Sequence, residues 1–388
     1  MDHQFTEDDR RFRQDVRAWL ADNAPTEPRP DDGPAIRAFD LAWQKRQYAG
    51  GWAGVSWPSE YGGRGLSLIR QMIWFEECGR RGTPPLGSLS VALNHAGPTL
   101  IMLGTEAQKA FHLPRILRGE DVWCQGFSEP GAGSDLAGLR TRGVIDGDHL
   151  LVSGQKIWTS HAHLARFQEL LVRTDPDAPR HAGLTWIICD MTAPGVTVRP
   201  IRTMVGSHHY CEVFYDNVRI PLTHVVGEVN GGWSVAMATL SFERGPGLIT
   251  SQMALARQVA DLIALAGGLP DPMGEGTMLQ DDAVRGRLAQ LNAEVAALRS
   301  MTRMAVSRGL RQAAPGAETS LPALYYAELA QRVQQAAIEV LGPAILEREG
   351  WSEAWTHEYL RAFMDTIAGG ASEIRRNIIA ERLLGLPR

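Results

Sequence analysis

Apolar positions recur at helical spacing at both ends of this chain and alternate in its middle, so a change of period divides it into three. Phe12, Val16, Trp19 and Leu20 mark a first helix, and Thr6 with Asp9 gives it a capping-box-like start. A Pro-rich connection over 25–34 follows. The next stretch, GWAGVSWPSEYGGRGLS at 51–67, is dense in Gly and Pro yet too aromatic for a solvated linker, which predicts a packed irregular loop. Helical patterns resume at 66–81, 88–103 and 105–118, the last opened by a second capping box, Thr105 with Gln108. From about Asp121 to Asn230 the residues alternate and become β-branched. Asp146-Gly147, between RTRGVI and DHLLVSG, predicts a hairpin, and further strands are expected at 168–173, 184–189, 196–200 and 211–220. From Gly231 the helical period returns in segments near 232–265, 280–311, 318–341, 352–364 and 371–384, with Leu288, Leu291, Val295 and Leu298 tracing one stripe. The fold class expected is mainly α with a β middle domain, divided as a helical domain over 1–121, a β domain over 122–230 and a helical bundle over 231–388.

A length of 388 residues suits such a division, and no fixed-period repeat competes with it. The formal net charge is −5 with both signs interspersed, so no basic stripe is available to neutralise a nucleic acid backbone. MDHQFTEDDRRFRQ at the start carries acidic residues and no apolar run, which argues against a secretory or transit peptide, and no segment has the length and apolarity of a membrane span. Cys78, Cys124, Cys189 and Cys211 lack metal-type or CxxC spacing, so a reduced, cytoplasmic chain is expected. His208 and His209 are adjacent, and on a strand they point to opposite faces, so no metal is expected there.

The chemistry is concentrated in SEPGAGSD at 128–135 and, one hairpin later, GQKIWTS at 154–160. Gly131 and Gly133 let the backbone turn and approach a ligand. Ser128, Ser134 and Ser160 offer hydroxyls and Trp158 offers a flat apolar face, a set suited to a planar ring with a polar edge. With SWPSEYGG at 56–63, GTEAQK at 104–109, WCQGFSEPGAGSD at 123–135, EVFYDNVRIP at 212–221, FERG at 242–245 and GGASEIRRNIIAERLLGLPR at 369–388, the chain resembles the acyl-CoA dehydrogenase family from the SWPSEYGG loop to its last residue. The resemblance implies an N-terminal helical domain, a middle β-barrel or sandwich and a C-terminal helical bundle. It also implies FAD, with an acyl thioester stacked against the flavin. By position, Phe127 and Ser128 then lie along the ring, Gly133 and Ser134 approach the cofactor, and Ser134 also faces the CoA arm. Trp158 packs on the flavin, Ser160 contacts its reactive edge, and Gly370, Ser372 and Glu373 meet it at the start of the last helix. Asn94, His95 and Gly369 are the candidates for the acyl pocket.

Oxidising a saturated thioester removes an α proton and a β hydride from opposite faces, and one carboxylate must take the proton. Gly369 stands where many family members place that base, so the loop at 366–372 cannot supply it. A subset of the family uses a glutamate just before an arginine on a bundle helix, and Glu243-Arg244 matches, making Glu243 the base and Arg244 its partner or the support of the 367–372 loop. Gly245-Pro246-Gly247 interrupts the helical pattern immediately afterwards. Other positions depart from the family. Ala371 and Glu373 replace a usual threonine and a frequent glutamine, and the RxxFG element that reaches FAD in the adjoining subunit is absent from 256–290, leaving Arg285 or Arg287 as substitutes. Glu339-Val340-Leu341-Gly342-Pro343 replaces a Gln-x-x-Gly-Gly stretch near the neighbour's cofactor. Three readings follow: an acyl-CoA dehydrogenase for a branched or bulky acyl group that passes electrons to an electron-transfer flavoprotein; a biosynthetic flavin oxidase or oxygenase acting on a CoA or acyl-carrier-protein thioester; or a subunit of a heteromeric dehydrogenase with an incomplete FAD site. Dimers or larger oligomers, of one chain or two, are expected in each.

Overall fold

The computed structural model describes residues 5–31, 33–242, 248–272, 274–309, 317–346 and 351–387. Helices α1 (Glu7–Asn23), α2 (Pro34–Ala49), α3 (Leu68–Arg81), α4 (Gly97–Leu103) and α5 (Glu106–Leu117) come first. Strands β1 (Trp123–Gly126), β2 (Arg142–Asp146), β3 (His149–Ser160), β4 (Phe167–Arg173), β5 (Leu184–Asp190), β6 (Val196–Ile201) and β7 (Tyr210–Pro221) follow. The chain ends with α6 (Gly232–Phe242), α7 (Leu248–Gly268), α8 (Asp282–Gly309), α9 (Ser320–Leu341), α10 (Trp351–Ala362) and α11 (Ser372–Arg382). Both expected capping boxes form: Thr6 and Asp9 exchange backbone-to-side-chain bonds of 3.1 Å, and Thr105 and Gln108 do so at 2.9 and 3.2 Å.

Contacts gather the chain into two compact units. One comprises Met1–Asp22, Leu68–Thr83 and Arg244–Arg388, the other Asn23–Ser67 and Pro84–Glu243. In the first, Leu288, Leu291, Val295 and Leu298 of α8 are buried with Leu255, Val259 and Leu262 of α7 and with Leu329 and Val333 of α9, as the stripe on α8 requires. Glu77 of α3 is buried between the forks of Arg13 (2.7 Å) and Arg17 (2.9 Å) from α1. Burial pushes its carboxyl up, but the hydrogen bonds from Arg17 and Arg13 and the nearby charge of Arg80 outweigh that and hold it below the usual range.

In the second unit the strands form one curled seven-stranded sheet in the order β1-β4-β2-β3-β7-β6, with β5 on β4. Alternation there separates two cores. Trp123, Phe167, Leu171, Trp186 and Ile188 face the helices and pack with Leu100, Leu113, Ile116 and Val235. Cys124, Leu170, Val172, Ile187 and Cys189 face the other way and pack with Val152, Val213 and Val218. All four cysteines are free and buried.

The segment at 88–103 is not one regular helix. A π turn spans Ala92–Ala96, and Gly97 N–H bonds back to Ala92 O. In that wider register the carbonyl of Leu93 would take its proton from Pro98, which has none. Trp57 Nε1 donates to Leu93 O instead, at 3.0 Å. A side chain at Gly97 would collide with that indole, so the SWPSEYGG loop and the π turn form one packed piece. Asp40 of α2 fixes the start of the same segment: Arg29 forks onto it at 2.7 and 2.8 Å, and Ser88 donates both N–H and hydroxyl to it at 2.8 Å.

Asp40→Ala leaves Arg29 without its counter-ion and should cost about 3–5 kcal/mol, a fall of roughly 6–20 °C in Tm. Arg11→Ala removes only the exposed pair with Asp8 and should move Tm by no more than about 2 °C. Calorimetric melting of both variants checks this, and equal shifts would contradict it.

Candidate active site

The chain leaves β1 at Gly126, runs through Phe127 and the SEPGAGSD turn, and returns along β3. β3 pairs with β7, but the register slips between Lys156 and Thr159. At the slip Ile157 N–H turns from β7 to the carbonyl of Ser128, at 2.9 Å. Trp158 takes φ 61° there. A bulge re-aims a side chain off the sheet, and the Trp158 indole is 57% exposed, its edge against Tyr210 with ring centroids 6.1 Å apart. An L-residue in the left-handed region is uncommon and costs energy. The strain places a large flat apolar surface in solvent next to the Gly-rich turn.

Lys156 points the other way and is fully buried. Its ammonium donates to Phe127 O at 3.0 Å and to Glu129 Oε1 at 2.8 Å. Glu129 also accepts the backbone N–H groups of Arg140 (2.7 Å) and Thr141 (2.8 Å), so one carboxylate ties together both ends of the 129–141 loop. Burial lowers the Lys156 pKa to about 8 against the opposing pull of Glu129. Burial also pushes Glu129 up, but the charge and hydrogen bond of Lys156 with the two N–H donors hold it below the usual carboxylate range.

Around the indole the donor set is free for a ligand. Ser134 is exposed, Ser128 and Ser160 are half-buried, and none of these hydroxyls bonds to another described residue. A Cβ built at Gly131 or Gly133 meets nothing within 4 Å, so the turn is open on its outer side. An exposed indole beside three uncommitted hydroxyls and an open Gly-rich turn fits a flavin ring and its polar edge. Phe127 is buried beneath this surface.

Behind β1 lies a buried polar cluster. Gln125 Nε2 donates to Glu169 Oε1 at 2.8 Å, and His95 Nδ1 stands 3.3 Å from the same oxygen and 3.2 Å from Gln125 Nε2. His95, on the π turn, is thereby packed into the protein, whereas Asn94 beside it is half-buried.

In the other unit, Gly369 and Gly370 take φ 63° and 100° in the loop before α11. Arg375 of α11 holds that loop by donating to Ala368 O (3.3 Å), Gly369 O (3.2 Å) and Ala323 O (3.2 Å). Ser372, in the first turn of α11, has its hydroxyl buried with no partner among the described residues, an orphaned donor where a cofactor's acceptor would satisfy it. Glu373 is exposed. Glu243 and Arg244 lie outside the described residues, as does Gly245-Pro246-Gly247.

Sequence profiles of the acyl-CoA dehydrogenase N-terminal, middle and C-terminal domains match residues 6–120, 124–218 and 230–384. The chain belongs to the acyl-CoA dehydrogenase family. It is 40% identical to acyl-CoA dehydrogenase IpdE1 of Mycobacterium tuberculosis, over 97% of both chains. Among solved structures it is similar to the Tcur3481-Tcur3483 steroid ACAD (33% identity, all of both chains, TM-score 0.86) and to the ChsE4-ChsE5 complex of M. tuberculosis (31%, all of both chains, TM-score 0.84). The family is flavin-dependent and acts on the CH–CH group of acyl thioesters.

Within this family frame, the two candidates for the missing RxxFG arginine differ. Arg285 is exposed and tied to Asp282. Arg287 lines a cleft of about 360 Å³ with Gln331, Arg332 and Tyr359, and its Nε is buried without a partner among the described residues. Glu339 is exposed. The residues that sequence reasoning passed over are Lys156, Glu129, Gln125 and Glu169. Lys156 was detectable, because the inward phase of Leu150 and Val152 continues to it.

Glu129→Gln leaves the Lys156 charge buried without a counter-ion and should cost about 3–5 kcal/mol at neutral pH. Because the folded pKa of Glu129 lies below the unfolded one, its stabilisation is complete above about pH 4.3 and is lost as pH falls through the lower folded value. The gap between wild type and variant, followed by melting from pH 7 to pH 3, should therefore narrow at the acid end. A gap that stays constant to pH 3 would contradict the assignment.

Proposed function

We propose that this chain catalyses FAD-dependent α,β-dehydrogenation of an acyl-CoA thioester carrying a bulky, ring-bearing acyl group, as one subunit of a two-chain assembly. The observation that carries the cofactor reading is the bulge that turns the Trp158 indole outward beside the uncommitted Ser128, Ser134 and Ser160 hydroxyls. When bound, FAD supplies the acceptor for the β hydride. Trp158 packs on the ring, Ser128 and Ser160 hydrogen-bond its polar edge, and the Gly133-Ser134 turn faces the thioester arm. Glu243 takes the α proton, with Arg244 beside it, and exclusion of bulk water around the thioester strengthens that base. The family resemblance makes Asn94 and, separately, the small Gly369-Gly370-Ala371 run candidates for contact with the acyl group.

Support for a ring-bearing substrate comes from similarity to a protein named a steroid ACAD, at 33% identity over the whole chain. Support for two chains comes from the paired names of both similar structures, together with Glu339 and Pro343, which depart from the family's cross-subunit contact. A carboxylate near a neighbour's pyrophosphate repels it, so a second chain with the usual residues would complete what this one lacks. As the family resemblance implies, the electrons then pass to an electron-transfer flavoprotein.

Flavin per chain should be substoichiometric for the chain alone and rise when the partner is co-expressed. Anaerobic addition of ring-bearing acyl-CoAs should then bleach the flavin, and slow reoxidation in air would separate a dehydrogenase from an oxidase. Glu243→Gln should slow bleaching by about 10²–10⁴-fold with flavin retained. Near-normal bleaching in that variant would sink the assignment of the base.

A further inference from the structure

Gln125 lies on β1 just before the Gly-rich turn, and its amide is held in a way that the flavin reading does not use. The parallel register of β1 and β4 sets it opposite Glu169. Glu169 is the one carboxylate in β4, FQELLVR, and it is fully buried. A carboxyl group taken out of water is costly unless it is hydrogen-bonded. Gln125 Nε2 donates to Glu169 Oε1 at 2.8 Å, and His95 Nδ1 stands 3.3 Å from the same oxygen.

The consequence falls on the other end of the amide. A glutamine amide can turn over, exchanging its NH2 group and its carbonyl oxygen, and its partners decide which way it faces. A carboxylate oxygen accepts and does not donate, so turning the Gln125 amide over would set two acceptors against each other. Glu169 therefore locks the amide with its carbonyl oxygen pointing away. That oxygen bonds to no described residue. Gln125 is half-buried, and its Oε1 remains accessible, whereas Nε2 of Gln168, one residue before Glu169, is buried without a partner among the described residues.

Alternation sets the side on which the oxygen opens. Trp123, Gln125 and Phe127 share one face, and there Trp123 and Phe127 pack with Ala92, Leu93 and Ala96 of the π turn. The same turn carries His95, 3.2 Å from the Gln125 amide nitrogen. It also carries Asn94, the candidate for contact with the acyl group, whose side chain bonds to no described residue. The amide is gripped from β4 and from the π turn and presents a single acceptor. An acceptor that cannot reorient favours a donor on the ligand and disfavours another acceptor, because the mismatch leaves both polar groups unpaired.

We infer that Gln125 determines specificity within the acyl group: its carbonyl oxygen, locked outward by Glu169, accepts a hydrogen bond from a hydroxyl on the ring-bearing chain and disfavours a ketone at the same place. The inference deepens the acyl-CoA reading above and rests on it.

The test uses the flavin-loaded protein and three α,β-enoyl-CoAs on one cyclohexylpropenoyl skeleton, with a methylene, a hydroxyl or a ketone at the far carbon of the ring. These are reaction products, so the change they cause in the visible spectrum of the flavin reports binding and not turnover. The hydroxyl compound should bind about 3–10-fold more tightly than the methylene compound, and the ketone more weakly than either. Glu169→Gln keeps the side-chain shape but offers the amide both a donor and an acceptor, so Gln125 can turn over and the hydroxyl-to-ketone ratio should fall toward one. Gln125→Met removes the acceptor and should abolish the preference for the hydroxyl; where that variant fails to fold, the ratio in Glu169→Gln decides alone. A ratio unchanged in Glu169→Gln would overturn the lock, and equal binding of all three compounds by wild type would overturn the acceptor. Loss of flavin or a displaced flavin absorption maximum in both variants, with the acyl ratios unmoved, would put the oxygen at the cofactor and overturn the acyl assignment. If no enoyl-CoA perturbs the flavin and no saturated thioester bleaches it, the acyl-CoA reading falls as well. Compounds that bind and bleach without discrimination leave that reading standing and remove only this inference.

Discussion

The buried ion pair of Lys156 and Glu129 is the constraint on which the geometry of the β unit depends. Two charges taken out of water return little net stability, and removing either partner strands the other. What the pair supplies is position. Glu129 accepts from the lysine and from two backbone N–H groups on the far side of the loop, and the lysine also holds the carbonyl of Phe127. With both ends of the 127–141 segment fixed from beneath, Ser128, Ser134 and the glycines of the turn are not needed to hold it. The serines and glycines there are free to meet a ligand, and Arg140 leaves the loop at a set angle.

That pair also explains why Trp158 can sit in a strained conformation. Lys156 must point inward to reach Glu129, and Ser160 must rejoin β7 opposite Tyr210, so the intervening residues absorb the mismatch as a bulge. Ile157 N–H recovers a hydrogen bond by donating to the Ser128 carbonyl, which offsets part of the cost, and the indole is left exposed. An exposed tryptophan at positive φ is costly for an isolated chain. It becomes favourable once a planar group covers it, which is how strain at a site turns into binding energy.

Much of this was legible along the chain and some was not, for physical reasons. Periodicity gave the long helices apart from α2, and the strands from β2 to β7, to within a few residues, because burial on one face leaves a period, and the capping boxes at Thr6 and Thr105 marked their helix starts because the hydrogen bonds are local; α2 was not expected, since its buried face mixes Asp40, Gln44 and Gln47 with Ile36 and Leu41 and so blurs the period. The π turn at Ala92–Ala96 was read as plain helix: its cause is a carbonyl left over by Pro98 and claimed by Trp57, more than thirty positions away. The parallel pairing of β1 with β4, Trp123 opposite Phe167, was likewise hidden, since strand order is a tertiary choice between strands buried on both faces. In the site, the serines and Trp158 were visible as a motif. His95 was expected to face the acyl group, and its place beside Gln125 and Glu169 depends on a buried glutamate in a strand that otherwise reads as apolar. The assignment of Glu243 still rests on the sequence around it.

The arrangement of arginines separates structure from recognition. The chain carries net negative charge, so a cleft with four arginines and no carboxylate in its lining does not follow from composition. Arginines that serve the fold are recognisable by their partners: Arg13 and Arg17 are spent on Glu77, Arg29 on Asp40, and Arg173 on backbone carbonyls. Arg140 and Arg142 have no such partner among the described residues, and exposed like charges two residues apart on one face repel each other. The two charges stay there because the clamp beneath the Gly-rich turn sets where the chain enters β2, with Arg140 N–H bound to Glu129 and Glu129 to Lys156.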